Sequence, residues 1–316
     1  MSDLRQTSRR LGVVVPILLL VLLCAVMLSL VTGSSKVGLG DIIKMLTTGH
    51  DGETAVDAIV WRIRFPREIL AAAVGGTLSL GGLVFQARLR KHLAEPYIIG
   101  ISGGDAVGAI VGMFAGLAMF PGVTLASFGG AMVVMVVVLF LSRNSTSGKS
   151  ESLLLAGVMM NAFCSACIMF LILVSQSSQV HHILFWLMGD LSMSEPGQLV
   201  LLLPLLVCFI FIFAMSRPMN LLLTGEESAA ALGLNVQRTT WLLLGTTTFM
   251  VSLVVSQAGL VGFVGLVVPH FFRMLLGPDH RLLVPACILG GGAYLVFCDL
   301  LARSLPASGE MPVGVI

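Results

Sequence analysis

The chain has 316 residues, of which 57% are apolar and 11% are charged, and its formal net charge is +2. Its mean hydropathy is +1.01. A water-soluble domain carries about 25% charged residues, so this chain has too few charges to cover a soluble surface. Lipid must be the solvent for most of it, and the composition excludes a soluble enzyme of this size.

Apolar stretches bounded by charges or turn residues predict nine membrane-spanning helices in one transmembrane domain that covers residues 1–316. Crossing a bilayer takes about 20 apolar residues, and helices satisfy their own backbone groups in hydrocarbon. The first apolar run is too long for a signal-peptide core, so we interpret it as a retained span. The predicted spans are residues 11–32, 67–87, 96–117, 121–141, 152–175, 198–216, 238–257, 260–276 and 282–303.

The distribution of Lys and Arg predicts the orientation of these spans. With the N-terminus in the cytoplasm, 12 of the 18 basic residues fall on inner segments, as the positive-inside rule requires. We therefore predict a multi-pass protein of the bacterial inner membrane with a cytoplasmic N-terminus. Arg62, Arg64 and Arg67 run against this tendency, because they cluster on the predicted outer side.

The third predicted span carries Gly104, Gly108, Gly112 and Gly116 at a spacing of four residues. This spacing places the glycines on one helix face, where a neighbouring helix backbone can approach closely. The sequence does not distinguish packing within the subunit from packing between subunits.

Asp105 and Asp299 are acidic residues that lie inside predicted spans. An ionisable group at bilayer depth normally faces the bundle interior or a water-filled cavity. Asp299 and Arg303 are four residues apart and can pair on one helix face. An ion-coupled secondary transporter that uses both acids as a proton or cation site is the alternative hypothesis.

Paired Cys and His residues raise the question of metal or redox chemistry. Cys164 and Cys167 form a C-x-x-C pattern inside a predicted span, and His181 and His182 lie in a predicted outer loop. No further ligand completes either set, so we predict packing and surface roles and no metal site.

Residues 147–150 resemble the end of a phosphate-binding loop, but position 143 is Arg where that loop needs Gly, and a predicted span precedes it. We therefore predict no ATPase in this chain. An intramembrane enzyme would need a nucleophile–base pair or a metal set such as H-E-x-x-H, and the sequence contains neither. The chain is not predicted to be an enzyme.

The segment 217–237 differs from the apolar spans on either side. Two acidic residues follow Thr224, a candidate helix cap, and Gly233 is a candidate helix stop. This pattern predicts a short cytoplasmic helix. Its acids would be repelled by anionic lipid headgroups, which favours docking to a cytoplasmic protein over binding to the membrane surface.

Several runs resemble the FecCD-type permeases, the membrane subunits of ATP-binding-cassette (ABC) importers for iron-siderophores, haem and cobalamin. They occur in the order found in that family and are spread over the chain. They are residues 64–67, 93–104, 153–158, 225–233, 262–270 and 312–315.

The resemblance implies an all-α bundle with the ten-helix fold of type II ABC importer permeases. It also implies a homodimer that imports a metal chelate together with two cytoplasmic ATPase subunits and one extracytoplasmic binding protein. ATP and Mg would bind to the ATPase, with no cofactor on this subunit and no nucleic-acid partner.

The same resemblance implies three sets of functional residues. A segment that couples to the ATPase comprises Gly225, Glu226, Glu227, Ala230, Gly233 and Asn235. The residues that dock the binding protein are Arg64, Arg67 and Arg303. The gate and pathway residues are Lys91, His92, Ser150, Glu151 and Asp105.

The chain departs from the family pattern in three places. Lys91-His92 stands where the family has Asn-Pro, and Asp105 stands where small residues are usual. The family continues into a tenth span after residues 312–315, so a chain that stops at Ile316 is expected to lack that helix.

Overall fold

The computed structural model describes residues 2–32, 60–90, 100–143, 149–192, 196–306 and 310–316. Within these ranges all regular secondary structure is helical. The α-helices are α1 (Ser2–Val31), α2 (Phe65–Leu89), α3 (Ile101–Phe114), α4 (Thr124–Arg143), α5 (Lys149–Val174), α6 (Ser177–Leu187), α7 (Leu202–Ala214), α8 (Ser216–Leu223), α9 (Glu226–Ala231), α10 (Val236–Ala258), α11 (Val264–Leu276) and α12 (His280–Ser304). Short helical segments of other types cover Val60–Arg64, Met119–Val123, Pro196–Leu201 and Val313–Val315.

Seven helical segments in the described ranges are long and apolar enough to cross a membrane. They contain α1, α2, α4, α5, α7, α10 and α12. Two further apolar helices, α3 and α11, have only 14 and 13 residues. At about 1.5 Å per residue these two are shorter than the hydrocarbon core of a bilayer. Each of the nine ranges predicted as spans overlaps one of these helices.

Helix α2 is the central element of the bundle. Nearly all of it is buried, and it packs against α10, α11 and α12. Helix α1 packs on α12, while α3, α4 and α5 form a second group that contacts α10. The apolar surfaces of α1, α5 and α7 are mostly exposed, as expected for helices that face lipid.

Glycines let the central helices touch backbone to backbone. A Cβ atom added to Gly75 of α2 would lie 2.2 Å from the carbonyl oxygen of Gly291 in α12, and one added to Gly82 would lie 1.8 Å from that of Gly265 in α11. No side chain fits at either contact. The central helices therefore pack more closely than side-chain layers would permit.

The glycine face predicted for the third span packs within the subunit. A Cβ atom on Gly104 would lie 2.7 Å from the carbonyl oxygen of Gly130 in α4, and one on Gly108 would lie 2.2 Å from that of Ala126. The prediction of close helix packing on this face is confirmed. Gly116 lies beyond α3 and has a positive φ of 69°, so it serves the turn rather than the packing face.

The bundle has two ends, which we name after arginines of α2. Arg64, just before α2, marks the Arg64 end, and Arg88, in the last turn, marks the Arg88 end. Helix α12 runs antiparallel to α2. Asp299, near the end of α12, bonds to Arg67 in the first turn of α2, whereas Asp279, just before α12, bonds to Asn220 of α8. Charged side chains gather at both ends.

Candidate docking sites at the two ends of the bundle

Six charged side chains meet at the Arg64 end, and we call them the charge cluster. They come from α2 with the turn before it, from α12 and from the segment after α12. The members are Arg64, Arg67, Glu68, Asp299, Arg303 and Glu310. The three positive and three negative charges balance.

Arg67 binds two carboxylates on opposite parts of its guanidinium group. Its Nη2 donates to Asp299 Oδ1 at 2.8 Å, and its Nε lies 3.2 and 3.1 Å from the two Asp299 oxygens. Its Nη1 donates to Glu310 Oε2 at 2.6 Å. The arginine therefore joins α2 to α12 and to the segment that follows α12.

Arg303 completes the inner part of the cluster. Its Nε lies 3.1 Å from Asp299 Oδ2, and its Nη2 lies 2.5 Å from Glu68 Oε1 and also contacts Ser29 Oγ of α1. Ser29 Oγ in turn donates to Glu68 Oε1 at 2.6 Å. The Asp299–Arg303 pair expected from the four-residue spacing is confirmed.

The structure brings together the three arginines predicted to dock a binding protein. Arg64 and Arg67 are buried and Arg303 is partly buried, and Arg64 also donates to the backbone oxygen of Leu30 at 2.6 Å. Sequence reasoning missed Glu68 and Glu310. Glu68 could have been found as an acid inside an apolar span, four residues after Arg64, whereas no local pattern marks Glu310. The docking role of the arginines stays a prediction.

The short helix predicted at the Arg88 end is α9. Gly225 precedes it with a φ of 115°, and Gly233 follows it with a φ of 88°, so both glycines serve the turns that bound the helix. Thr224 does not cap α9, and that prediction is wrong. Its Oγ1 donates instead to the Leu221 carbonyl oxygen at 2.8 Å, which completes the last turn of α8. Asn235 caps the next helix, since its side chain accepts a hydrogen bond from Arg238 N at 3.0 Å.

Helix α9 lies on the bundle by one face and exposes another. Ala229 is fully buried, while Glu227 and Ala230 are exposed. Glu226 Oε1 accepts a hydrogen bond from Arg88 Nη1 at 2.7 Å in a part-buried ion pair. This pair ties the start of α9 directly to the end of α2.

A second connection joins α8 to the start of α12. Asn220 Nδ2 donates to Asp279 Oδ1 at 2.7 Å, and Asn220 Oδ1 accepts from His280 N at 2.9 Å. Asp279 also caps α12, because its Oδ1 accepts from Arg281 N at 3.0 Å. The segment from α8 to α9 is therefore fixed to both central helices.

The residues predicted to form the gate are described only in part. Lys91 and His92 lie outside the described residues, and so does the side chain of Ser150. Glu151 is exposed in the first turn of α5. Asp105 is fully buried between α3 and α4, where Ser127 Oγ donates to its Oδ1 at 3.1 Å. Its predicted orientation into protein is confirmed.

The paired Cys and His residues lie on helices. Cys164 is buried and Cys167 partly buried in α5. His181 and His182 are exposed on α6, and the His181 ring lies 4.6 Å from that of Phe185. Among the residues that the structure describes, no three His, Cys, Asp or Glu side chains are grouped as a metal site requires.

The candidate spans, the charge cluster at one end and the short helix α9 at the other are those of a polytopic helical membrane protein. The family model described as the FecCD transport family matches residues 19–316. The chain belongs to that family, and the resemblance read from the sequence runs is confirmed.

Relatives match over almost the whole chain. The vitamin B12 import system permease protein BtuC of Salmonella schwarzengrund (strain CVM19633) is 36% identical over 314 residues, which cover 99% of this chain and 93% of that protein. The corresponding protein of Shigella boydii serotype 18 is 36% identical over 297 residues, covering 93% and 88% of the two chains.

Solved structures share the fold. An inward-facing metal-chelate type ABC transporter superposes with a TM-score of 0.85 at 29% identity, covering 96% of this chain and 94% of that one. PsaBC from Streptococcus pneumoniae in complex with Fab has a TM-score of 0.61 at 16% identity, with coverage of 88% and 90%, and supports the fold alone. The predicted fold class, an all-α permease bundle of the ABC importer type, is confirmed.

Proposed function

We propose that this chain is the membrane-spanning subunit of an ABC importer for a metal chelate. Two copies form the translocation pathway, two ATPase subunits bind at the Arg88 end, and one binding protein docks at the Arg64 end. The N-terminus lies in the cytoplasm of a bacterium, so the Arg88 end faces the cytoplasm. ATP hydrolysis is supplied by the partner ATPase, and this chain performs no covalent chemistry.

The observation that carries this proposal is the position of α9. It presents exposed residues to solvent at the Arg88 end while Ala229 anchors it to the bundle. A short helix held in this way suits docking to a cytoplasmic protein. The full-length similarity to vitamin B12 import permeases supports an ATPase as that protein.

The contacts of α8 and α9 suggest how motion of the ATPase reaches the pathway. The Arg88–Glu226 pair links α9 to α2, and the Asn220–Asp279 bond links α8 to α12. Because α2 and α12 touch backbone to backbone, we expect them to move together. Closing of the ATPase dimer would then shift the permease between outward-open and inward-open states.

Vitamin B12 and related corrinoids are the first substrates to test, because the similar permeases carry that name. Iron-siderophores and haem are the other chelates imported by the family. The chain should be purified with its cognate ATPase and binding protein and reconstituted into proteoliposomes, and ATP-dependent uptake of each labelled chelate should be measured. Failure to copurify with an ATPase, or absence of ATP-dependent uptake for all three classes, would contradict the proposal.

Charge reversal tests the link between α9 and α2. Arg88→Glu is expected to lower ATP-dependent uptake about fivefold, since a partly exposed ion pair contributes about 1 kcal/mol and the variant adds repulsion between two acids. The double variant Arg88→Glu with Glu226→Arg should recover uptake, because it restores the pair in reverse. Equal defects in the single and double variants would show that this pair does not carry the coupling.

Neutralising Asp105 separates the importer from an ion-coupled transporter. Asp299 is already engaged by Arg67 and Arg303, which leaves it poorly suited to bind a transported cation. Asp105→Asn is expected to retain ATP-dependent uptake, because the amide oxygen can still accept the bond from Ser127. Uptake that disappears in Asp105→Asn, or that follows a proton or sodium gradient without ATP, would support the alternative.

A further inference from the structure

The three carboxylates of the charge cluster differ sharply in exposure. The side chains of Glu68 and Asp299 are 0% exposed, whereas that of Glu310 is 48% exposed. All three pair with arginines that are at least nine-tenths buried. Glu310 is therefore the carboxylate of the cluster that solvent, or another protein, can reach.

Arg67 holds its buried and exposed partners through different nitrogen atoms. Nε and Nη2 face Asp299, and Nη1 alone faces Glu310 at 2.6 Å. The bond from Nη1 to Glu310 can therefore open while Nε and Nη2 stay bonded to Asp299. Opening a buried ion pair is costly because it leaves an uncompensated charge inside the protein. Opening an exposed ion pair changes the free energy of the protein little.

Glu310 is presented by an anchored segment. Met311 N, the next residue, donates to the Ala302 carbonyl oxygen of α12 at 3.2 Å, and Val313 is buried. Gly314 lies close to the backbone of Met188 and Leu260, so a Cβ atom added there would be 2.4 Å from the Met188 oxygen. These contacts hold the backbone beside Glu310 against the Arg64 end.

We propose that Glu310 occupies the place on Arg67 that an acidic side chain of the binding protein takes when that protein docks. This inference rests on the proposed function. The exchange replaces one carboxylate by another on Nη1, so Arg67 stays paired with Asp299 and its charge is never left without a partner. Glu310 thereby competes with the binding protein and weakens its resting affinity, which allows release after each transport cycle.

The test measures binding-protein affinity. The full permease–ATPase complex in nanodiscs is titrated with the labelled cognate binding protein at low salt. Glu310→Gln is expected to lower the Kd about two- to fivefold, the range for one partly exposed ion pair. Glu310→Asp retains the charge and should stay near the wild-type value.

Asp190→Asn is the matched control. It makes the same charge change at the same end of the bundle, because Asp190 N donates to the Ala258 carbonyl oxygen at the end of α10 and the adjacent Gly189 lies beside Gly314. Asp190 accepts hydrogen bonds from Ser192 rather than from an arginine. A gain in affinity that occurs in Glu310→Gln and not in Asp190→Asn supports the exchange. An equal gain in both variants would be a general charge effect and would overturn the proposed exchange.

Two further outcomes separate this exchange from the proposed function. If the wild-type complex binds the binding protein and Glu310→Gln binds it equally or more weakly, the exchange alone is overturned. If the wild-type complex does not bind the binding protein at all, the docking proposal fails and the exchange fails with it.

Discussion

Replacing Asp299 by Ala is expected to lower the free energy of unfolding by about 3–5 kcal/mol, the cost of removing one partner from a buried ion pair. The Asp299 carboxylate is 0% exposed and binds both Arg67 and Arg303. Its loss leaves the guanidinium groups of Arg67 and Arg303 each without the carboxylate of Asp299. The measurement is the thermal unfolding of the detergent-solubilised protein, followed by the loss of its monodisperse peak in size-exclusion chromatography.

Glu310→Gln provides the comparison for this stability measurement. It removes an exposed carboxylate from the same arginine, so its cost should stay within about 1 kcal/mol. If Asp299→Ala unfolds at the wild-type temperature, the buried pairs do not hold α2 to α12 as described.

Gly130→Ala is expected to cost about 1–3 kcal/mol, the usual penalty for overpacking a tightly filled contact. A Cβ atom at Gly130 would lie 2.2 Å from the carbonyl oxygen of Gly104, so α3 and α4 would have to separate. The neighbouring residue supplies the matched control, because a Cβ atom at Gly129 would meet nothing within 4 Å. The two variants differ in position by one residue and carry the same chemical change.

Thermal unfolding of the two glycine variants in one detergent decides this prediction. Gly129→Ala should match the wild type or exceed it slightly, since alanine favours the helix. Similar destabilisation by both substitutions would mean that helix α4 responds to any added methyl group, and would contradict the close contact between α3 and α4.

The sequence predicts the helices well because each span depends on local composition. A run of about 20 apolar residues suffices to place a helix in a bilayer, and the glycine spacing in 104–116 identifies a packing face. The length of α3 and α11 is harder to predict. Their apolar runs continue beyond the helices, and turns at glycines such as Gly116 and Gly259 interrupt the regular backbone.

The candidate sites are predictable only where their contacts are local. Asp299 and Arg303 are four residues apart, so their pairing can be read from the helix period. Arg67 and Asp299 are separated by 232 residues, and only the packing of α12 on α2 brings them together. The predicted Thr224 cap is wrong for a local reason. Only two residues separate α8 from α9, and its hydroxyl group satisfies the end of the first helix rather than the start of the second.

The backbone contact between Gly75 and Gly291 also determines where spectroscopic labels can report on transport. Two probes placed on α2 and α12 would record a nearly constant distance, because no layer of side chains lies between the helices to let one slide past the other. One probe on either of these helices and another on the exposed face of α5, for example at Met159, would report whether α5 moves relative to α2 and α12. Distance distributions from such a pair, recorded with and without ATP, would follow the cycle directly.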